Sequence, residues 1–507
     1  MVPESGSSRW IGRHRWIGLL TAVGLLAGAV GWLAGPQPAT LGAATTGDPA
    51  LAAQVRDAVG DPTGYRGLAV AVVDAGTVRY AGLGEAGPGG RPVDEDTAFE
   101  IGSIGKPLTA MLLVELAGDG TVAVDQPLRD LLPHVRLSDE LGRVTLDELA
   151  SHRSGLPGVR YRAVTDLPAM VLRDASGRDP YAGQDTAWLH ASLADAPAGT
   201  ASEPPVRYSN YGFAVLGHAL AARTGTPYPR LLAERILRPL RMTSTGLHLD
   251  GAALPAGHAE PATAAGRTVA PWQASGYAPA GAGLWSTARD LSRLVVAMLD
   301  GTAPGADAAR PRYAERADRR VGYGWFTSRV AGRTVVWHNG GTGGFRSYVG
   351  YEPATGRGVV VLGNTDRDVD ALALRLLTGS GTDEPPRAAL PVILMTVVFS
   401  LTGASLLLVA ARNRAADRLR LASGAVWAVA GPALAYPLGG WHTVPPLVWA
   451  AGVAVSAAAV LVAARRWAAV PVVGAYPWLR WLGTGLSVAV AAAALVWVLP
   501  PALGAGG

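Results

Sequence analysis

Ser103 and Lys106 stand three residues apart in Phe99-Glu100-Ile101-Gly102-Ser103-Ile104-Gly105-Lys106, and Lys106 is the only lysine in a chain whose other basic residues are all arginine. Arginine supplies charge and ion pairs on any surface, but with a pKa above about 12 it cannot release its proton near neutrality. A lysine can, once its site lowers the pKa by about 3.4 pH units from a reference near 10.4, which takes roughly 4 to 5 kcal/mol of burial and like-charge pressure. One lysine kept against so strong a bias points to a position that needs an amine able to deprotonate. A hydroxyl three residues before it on a helix lies within its reach, which is the layout of an activated serine nucleophile.

The elements that must position the pair can be read around it. Leu108 to Val114 is an apolar run that ends at Gly118-Asp119-Gly120, the signature of a buried helix. Pro107 is tolerated only in the first turn, which places the helix start at Ser103 or Ile104. The free amides of that terminus favour negative charge beside the serine. Toward the N-terminus, Leu68–Val73 and Thr77–Tyr80 read as two strands around the tight turn Asp74-Ala75-Gly76. Thr334–Trp337, Arg346–Tyr351 and Gly358–Leu362 read as three more. Mostly helical and loop patterns lie between, so the expected fold is α/β of the α+β kind: one antiparallel sheet built from the first and last segments, flanked by helices, with a helical subdomain. Asp94 and Asp96 read as solvated loop carboxylates.

Further residues able to do chemistry follow in order: Tyr208-Ser209-Asn210, then His338-Asn339-Gly340-Gly341. Together with Ser103-Ile104-Gly105-Lys106 they match SxxK, YxN and, with histidine for lysine, KTG. The chain thereby resembles the serine β-lactamase and penicillin-binding-protein superfamily, in the branch of class C β-lactamases, D,D-peptidases and related esterases. Three stretches support this: Leu149-Ala150-Ser151-His152-Arg153-Ser154-Gly155-Leu156-Pro157, Leu237-Arg238-Pro239-Leu240-Arg241-Met242-Thr243, and Gly283-Leu284-Trp285-Ser286-Thr287-Ala288-Arg289-Asp290-Leu291. A lone HxG is weak; the order and spacing of all six segments carry the match, over residues 51–376.

The resemblance implies Ser103 as nucleophile forming an acyl-enzyme, and Lys106 and Tyr208 sharing the base role, the lysine favouring a tyrosinate. It implies Asn210 holding the substrate amide or the Lys106 amine. The backbone amides of Ser103 and Gly341 would form the oxyanion hole, with His338, Gly340 and Gly341 lining the substrate site. Histidine in the KTG place would be a weaker, titratable handle for a substrate carboxylate. The expected substrate is a small molecule or peptide, acted on as by a D,D-peptidase or D-amino-acid peptidase; a carboxylesterase, a β-lactamase and a non-catalytic sensor are the alternatives. No cofactor or metal is expected, since cysteine is absent and the histidines are scattered.

Charge sits in short segments: around Arg9 to Arg15, Arg412 to Arg420 and Arg465 to Arg480 it exceeds the net +5 of the whole chain, leaving the remainder net negative. That distribution is a membrane topology signal and argues against nucleic acid. Five apolar stretches flank these segments, Trp16–Gly35, Ala388–Ala411, Leu421–Leu438, Pro446–Ala464 and Trp481–Leu503, each near the roughly 20 residues needed to cross a bilayer. The first could also be a cleaved signal, with Leu41-Gly42-Ala43-Ala44 as a cutting site. No stretch carries a charged residue or histidine away from its ends, so the last four read as an anchor or docking bundle in the lipid bilayer. The expected organisation is a cytoplasmic N-terminus (1–15), an anchor or signal (16–35), a linker (36–50), an exterior domain (51–376), a second linker (377–387) and a four-span region (388–507). The sequence does not specify an oligomeric state.

Overall fold

The computed structural model describes residues 6–160, 166–198, 204–379, 390–412, 416–474 and 476–498. The chain forms two compact units: one of Ala39–Thr263 with Thr268–Pro385, the other of Met1–Pro38, Ala264–Arg267 and Pro386–Gly507.

In chain order the strands of the larger unit are β1 (Thr45–Gly47), β2 (Gly67–Asp74), β3 (Thr77–Gly84), β4 (Phe99–Glu100), β5 (Gly246–Leu247), β6 (Leu284–Ser286), β7 (Tyr313–Arg316), β8 (Arg319–Val321), β9 (Phe326–Val330), β10 (Arg333–Gly341), β11 (Arg346–Glu352) and β12 (Arg357–Gly363). Among the described residues nine of them make one sheet, in the order β1-β3-β2-β12-β11-β10-β9-β8-β7, every pair antiparallel. The first and last segments of the unit meet at β2 and β12, with Val70 opposite Val361. Both faces of these strands are covered. Ala69, Ala71, Val73, Val360 and Leu362 point into the main core, while Leu68, Val70, Val72, Val359 and Val361 point under the helices Pro49–Val59 and Asp370–Thr378. A sheet buried on both faces needs continuous apolar runs rather than alternation, and each buried valine contributes about 1.5 to 3 kcal/mol.

Two expectations shift. The segment expected as a linker up to residue 50 already carries β1, paired with β3, and the helix that starts at Pro49, capped by the Asp48 carboxylate on the amides of Ala50 and Leu51. And β10 runs through His338 to Gly341, because Gly340 and Gly341 pair with Ser347 and Arg346 of β11.

In the smaller unit, Gly6–Leu33, Arg418–Leu438, Leu447–Arg466 and Pro477–Val498 are helices. Four helices among the described residues are long and apolar enough to cross a membrane, and a fifth span follows if the bent pair counts as one. That pair, Leu390–Ser400 and Thr402–Arg412, replaces the single stretch expected from Ala388 to Ala411 and bends by 43°; residues 388 and 389 lie outside the described residues, as does the end of the last expected stretch. The bend has a local cause. Thr396 and Ser400 donate their hydroxyls back to the carbonyls of Val392 and Thr396, each at 2.6 Å, and such back-bonding bends helices.

Candidate active site

Ser103 lies on a tight turn, Gly102–Ile104, that feeds directly into the helix Gly105–Gly118, so the α-helix begins two residues later than Ser103. The turn is possible because Gly102 has φ +52°, a conformation that disfavours side chains, and a Cβ there would stand 2.9 Å from the Gly341 amide nitrogen. The turn that carries Ser103 thus rests backbone against backbone on the end of β10. Gly340 is equally constrained, since a Cβ there would run into the Ile101 carbonyl oxygen. On the other side Gly281, at φ +112°, abuts the Gly102 carbonyl.

Lys106 follows within the first helical turn and is fully buried. Its Nζ lies 2.8 Å from Ser103 Oγ and 3.0 Å from the carbonyl oxygen of Ala280, and 4.9 Å from the centre of the Tyr208 ring. Burial pushes its pKa well below the usual lysine range. Its two polar partners, Ser103 Oγ and the Ala280 carbonyl, are neutral and provide no ion pair to hold its proton.

Tyr208 precedes the helix Asn210–Thr224, whose N-cap Ser209 accepts from the Gly212 amide at 2.8 Å and donates to the Pro157 carbonyl at 2.6 Å. The residue is 41% exposed, yet its hydroxyl is set inward: burial raises its pKa, and a hydrogen bond with Ser103 only partly opposes this. Burial here favours the neutral phenol over the expected tyrosinate. Asn210 lines the cleft with Ser103, hydrogen-bonds Tyr181 and leaves its buried Oδ1 without a partner. It does not hold the Lys106 amine; the Ala280 carbonyl takes that place.

His338 departs furthest from expectation. It is buried, with Nδ1 2.5 Å from the Asn339 carbonyl oxygen, so Nδ1 carries the proton and Nε2 is an unpartnered lone pair. Burial holds its pKa down to about 3. It is therefore neutral, and its ring lies beside those of Tyr208 and Phe326 at 6.2 and 5.4 Å rather than among the residues lining the cleft. The titratable carboxylate handle is corrected accordingly.

The cleft is lined by Gly102, Ser103, Asn210 and Gly341, by Ala280 to Ala282, and by the aromatic rings of Tyr181, Trp272 and Tyr277. Ser103, Asn210 and Gly341 are thus together; Lys106 lies beneath Ser103. Sequence reasoning missed the three rings, because loops carry no periodic pattern. It also gave His152 no role beyond its stretch, although that ring packs 4.6 Å from Tyr208 and accepts the Ser209 amide on Nδ1 at 3.1 Å. A histidine in the stretch that precedes YxN was the available signal.

Glu100 was missed as well. It is 1% exposed and accepts the amides of Trp272 and Gly283, both at 3.2 Å, joining the strand before the nucleophile to two cleft segments. Burial outweighs those donors and pushes its pKa up to about 8 from an ordinary 4.5. Between those values the folded chain keeps a proton the unfolded chain has lost. The stability this contributes is complete below pH 4.5 and is lost as pH rises through 8, by about 3 to 5 kcal/mol. Thermal unfolding of the full-length protein should therefore show a falling midpoint between pH 5 and 8.5, and Glu100→Gln should flatten that fall; an unchanged slope would refute the assignment.

Residues 52–380 match the Beta-lactamase family. Among curated relatives, the D-alanyl-D-alanine-carboxypeptidase/endopeptidase AmpH of Escherichia coli K12 is 31% identical over 205 residues, 39% of this chain and 50% of AmpH. A beta-lactamase of Pseudomonas fluorescens is 26% identical over 340 residues, 59% of this chain and 88% of that one. This chain thus spans about half the length of AmpH. Among solved structures, a beta-lactamase/D-alanine carboxypeptidase from Pseudomonas syringae superposes with a TM-score of 0.55 at 20% identity, covering 66% of this chain and 99% of the other, which shows the β-lactamase/transpeptidase-like fold. With the family match extending over the sheet, the turn that carries Ser103 and the strand that backs it, the chain belongs to the beta-lactamase family.

Proposed function

We propose that the larger unit is a serine acyl-hydrolase held at a membrane. One observation carries the reading: a fully buried amine, Lys106 Nζ, 2.8 Å from Ser103 Oγ with only neutral polar partners. A neutral Lys106 takes the Ser103 proton as Oγ attacks a carbonyl carbon, and the amides of Ser103 and Gly341 receive the oxyanion. Tyr208, held neutral, passes a proton to the leaving amine or alcohol as its bond to the carbonyl breaks. Water, deprotonated by the same groups, then attacks the acyl-enzyme and releases the acid and the serine. The names of the relatives, a carboxypeptidase/endopeptidase and a D-aminopeptidase, support amide substrates. The test is intact-protein mass spectrometry after exposure to a fluorophosphonate, a penicillin and a D-Ala-D-Ala peptide, with the adduct mapped by fragmentation. An adduct on Ser103 is expected; none with any reagent would overturn the proposal.

The larger unit faces the exterior in this reading. Support comes from the smaller unit, where basic residues meet at helix ends: the Arg465 guanidinium lies 4.5 Å from the Trp16 ring, Arg418 Nε donates to the Trp467 carbonyl at 3.0 Å, and Arg480 pairs with Asp417 at 3.4 Å. One basic end is what a cytoplasmic face requires. The first helix belongs to this bundle. A Cβ on Gly31 would stand 3.3 Å from Ala450 Cα, and one on Gly28 3.4 Å from Ala454 Cβ, the close approach that small residues allow between membrane helices. Residues 16–35 should therefore remain in the mature protein. Peptide mapping of protein extracted from membranes should recover them; an N-terminus near Ala44 would contradict this.

A further inference from the structure

The cleft in front of Ser103 has no charged side chain among its described lining residues, and neither Lys106 nor His338 presents a cation to it. Lys106 lies beneath Ser103 with its amine committed to Ser103 Oγ and the Ala280 carbonyl. His338 stands behind Tyr208 and offers a lone pair at Nε2, not a proton. Asn210 Oδ1, a buried side-chain atom of the lining left without a partner, is also an acceptor. A carboxylate entering this cleft beside Asn210 Oδ1 would find no cationic side chain on the lining, and burying it without an ionic partner costs several kcal/mol. An amide N–H would meet Asn210 Oδ1 favourably.

The opposite wall is built for apolar contact. Tyr181 stands edge-on to Trp272 at 5.1 Å and tilted on Tyr277 at 4.7 Å, and the Trp272 backbone is fixed by Glu100. A D-alanyl methyl group would leave most of that surface uncovered. An aryl or branched acyl group would cover it.

Resting on the serine-hydrolase reading above, we propose that this site selects esters and amides with an apolar, aryl-sized acyl group and no free carboxylate on the leaving group. The acyl carbon bonds to Ser103 Oγ, its bond to the leaving oxygen or nitrogen breaks, and the serine proton departs with that leaving group.

The test uses the full-length protein in nonionic detergent with two phenylacetylglycyl esters, one of 3-hydroxybenzoate and one of methyl 3-hydroxybenzoate, which share every reacting atom and differ in charge. The methyl ester is expected to have a kcat/KM at least about tenfold higher, unchanged when detergent concentration is doubled. Equal turnover, preference for the acid, or turnover of neither while a fluorophosphonate still labels Ser103 would overturn the substrate assignment. Failure of the fluorophosphonate to label Ser103 would instead overturn the hydrolase reading beneath it.

Discussion

Ser103→Ala is expected to abolish acylation and to lower hydrolysis by about 10⁴-fold or more, down to what the oxyanion amides and substrate binding alone supply. The fold should survive. Ser103 Oγ is bonded to Lys106 Nζ at 2.8 Å and to the Tyr208 hydroxyl, and the turn that carries it is fixed by backbone contacts of Gly102 with Gly341 and Gly281. Removing one hydroxyl leaves those contacts in place and Lys106 still bonded to the Ala280 carbonyl. Thermal unfolding of the variant should fall within a few degrees of the parent. Residual covalent labelling by a fluorophosphonate at any other residue would show that the nucleophile has been misassigned.

Lys106→Met carries the second large effect, a loss of about 10² to 10⁴ in kcat/KM. Methionine keeps most of the volume and removes the amine, so the helix Gly105–Gly118 stays packed while Ser103 loses its base. Stability should hold or rise, because a buried amine with two partners is exchanged for apolar surface. Lys106→Arg should not rescue activity: a guanidinium cannot deprotonate, and no carboxylate is hydrogen-bonded at that position to receive it. In the parent, burial holds the amine neutral, so activity should persist well below the pH at which an ordinary lysine would be charged. Activity confined to pH above about 9 would mean an ordinary ammonium there, and the mechanism would fail.

Much of this arrangement could be read from sequence, and the exceptions have physical causes. The five strands expected from apolar runs are the five longest, β2, β3, β10, β11 and β12. The strands of the sheet that were missed, β1, β7, β8 and β9, have three to five residues each, too few for a period to emerge. Gly340 and Gly341 resemble a turn, yet they continue β10 because only glycine lets it approach Ile101. Ser103, Lys106, Tyr208 and Asn210, singled out by residue type and spacing, stand close together in the fold. The loops Pro157 to Ala198 and Ala253 to Ala280 held no such pattern, and they supply Tyr181, Trp272, Tyr277 and the Ala280 carbonyl. Chemistry was local enough to read; the walls were set by tertiary contact. His338 shows the limit of reading by position, since its proton is placed by the neighbouring Asn339 carbonyl and its charge by burial.

The solitude and burial of Lys106 have a spectroscopic consequence. Lysine labelled with carbon-13 at the ε carbon would place one reporter in a chain of 507 residues, at the atom bonded to the reacting amine. A single resonance, free of surface background, would follow that amine through resting, acylated and product states. The arginine bias that singles out the base also makes the enzyme its own spectral filter.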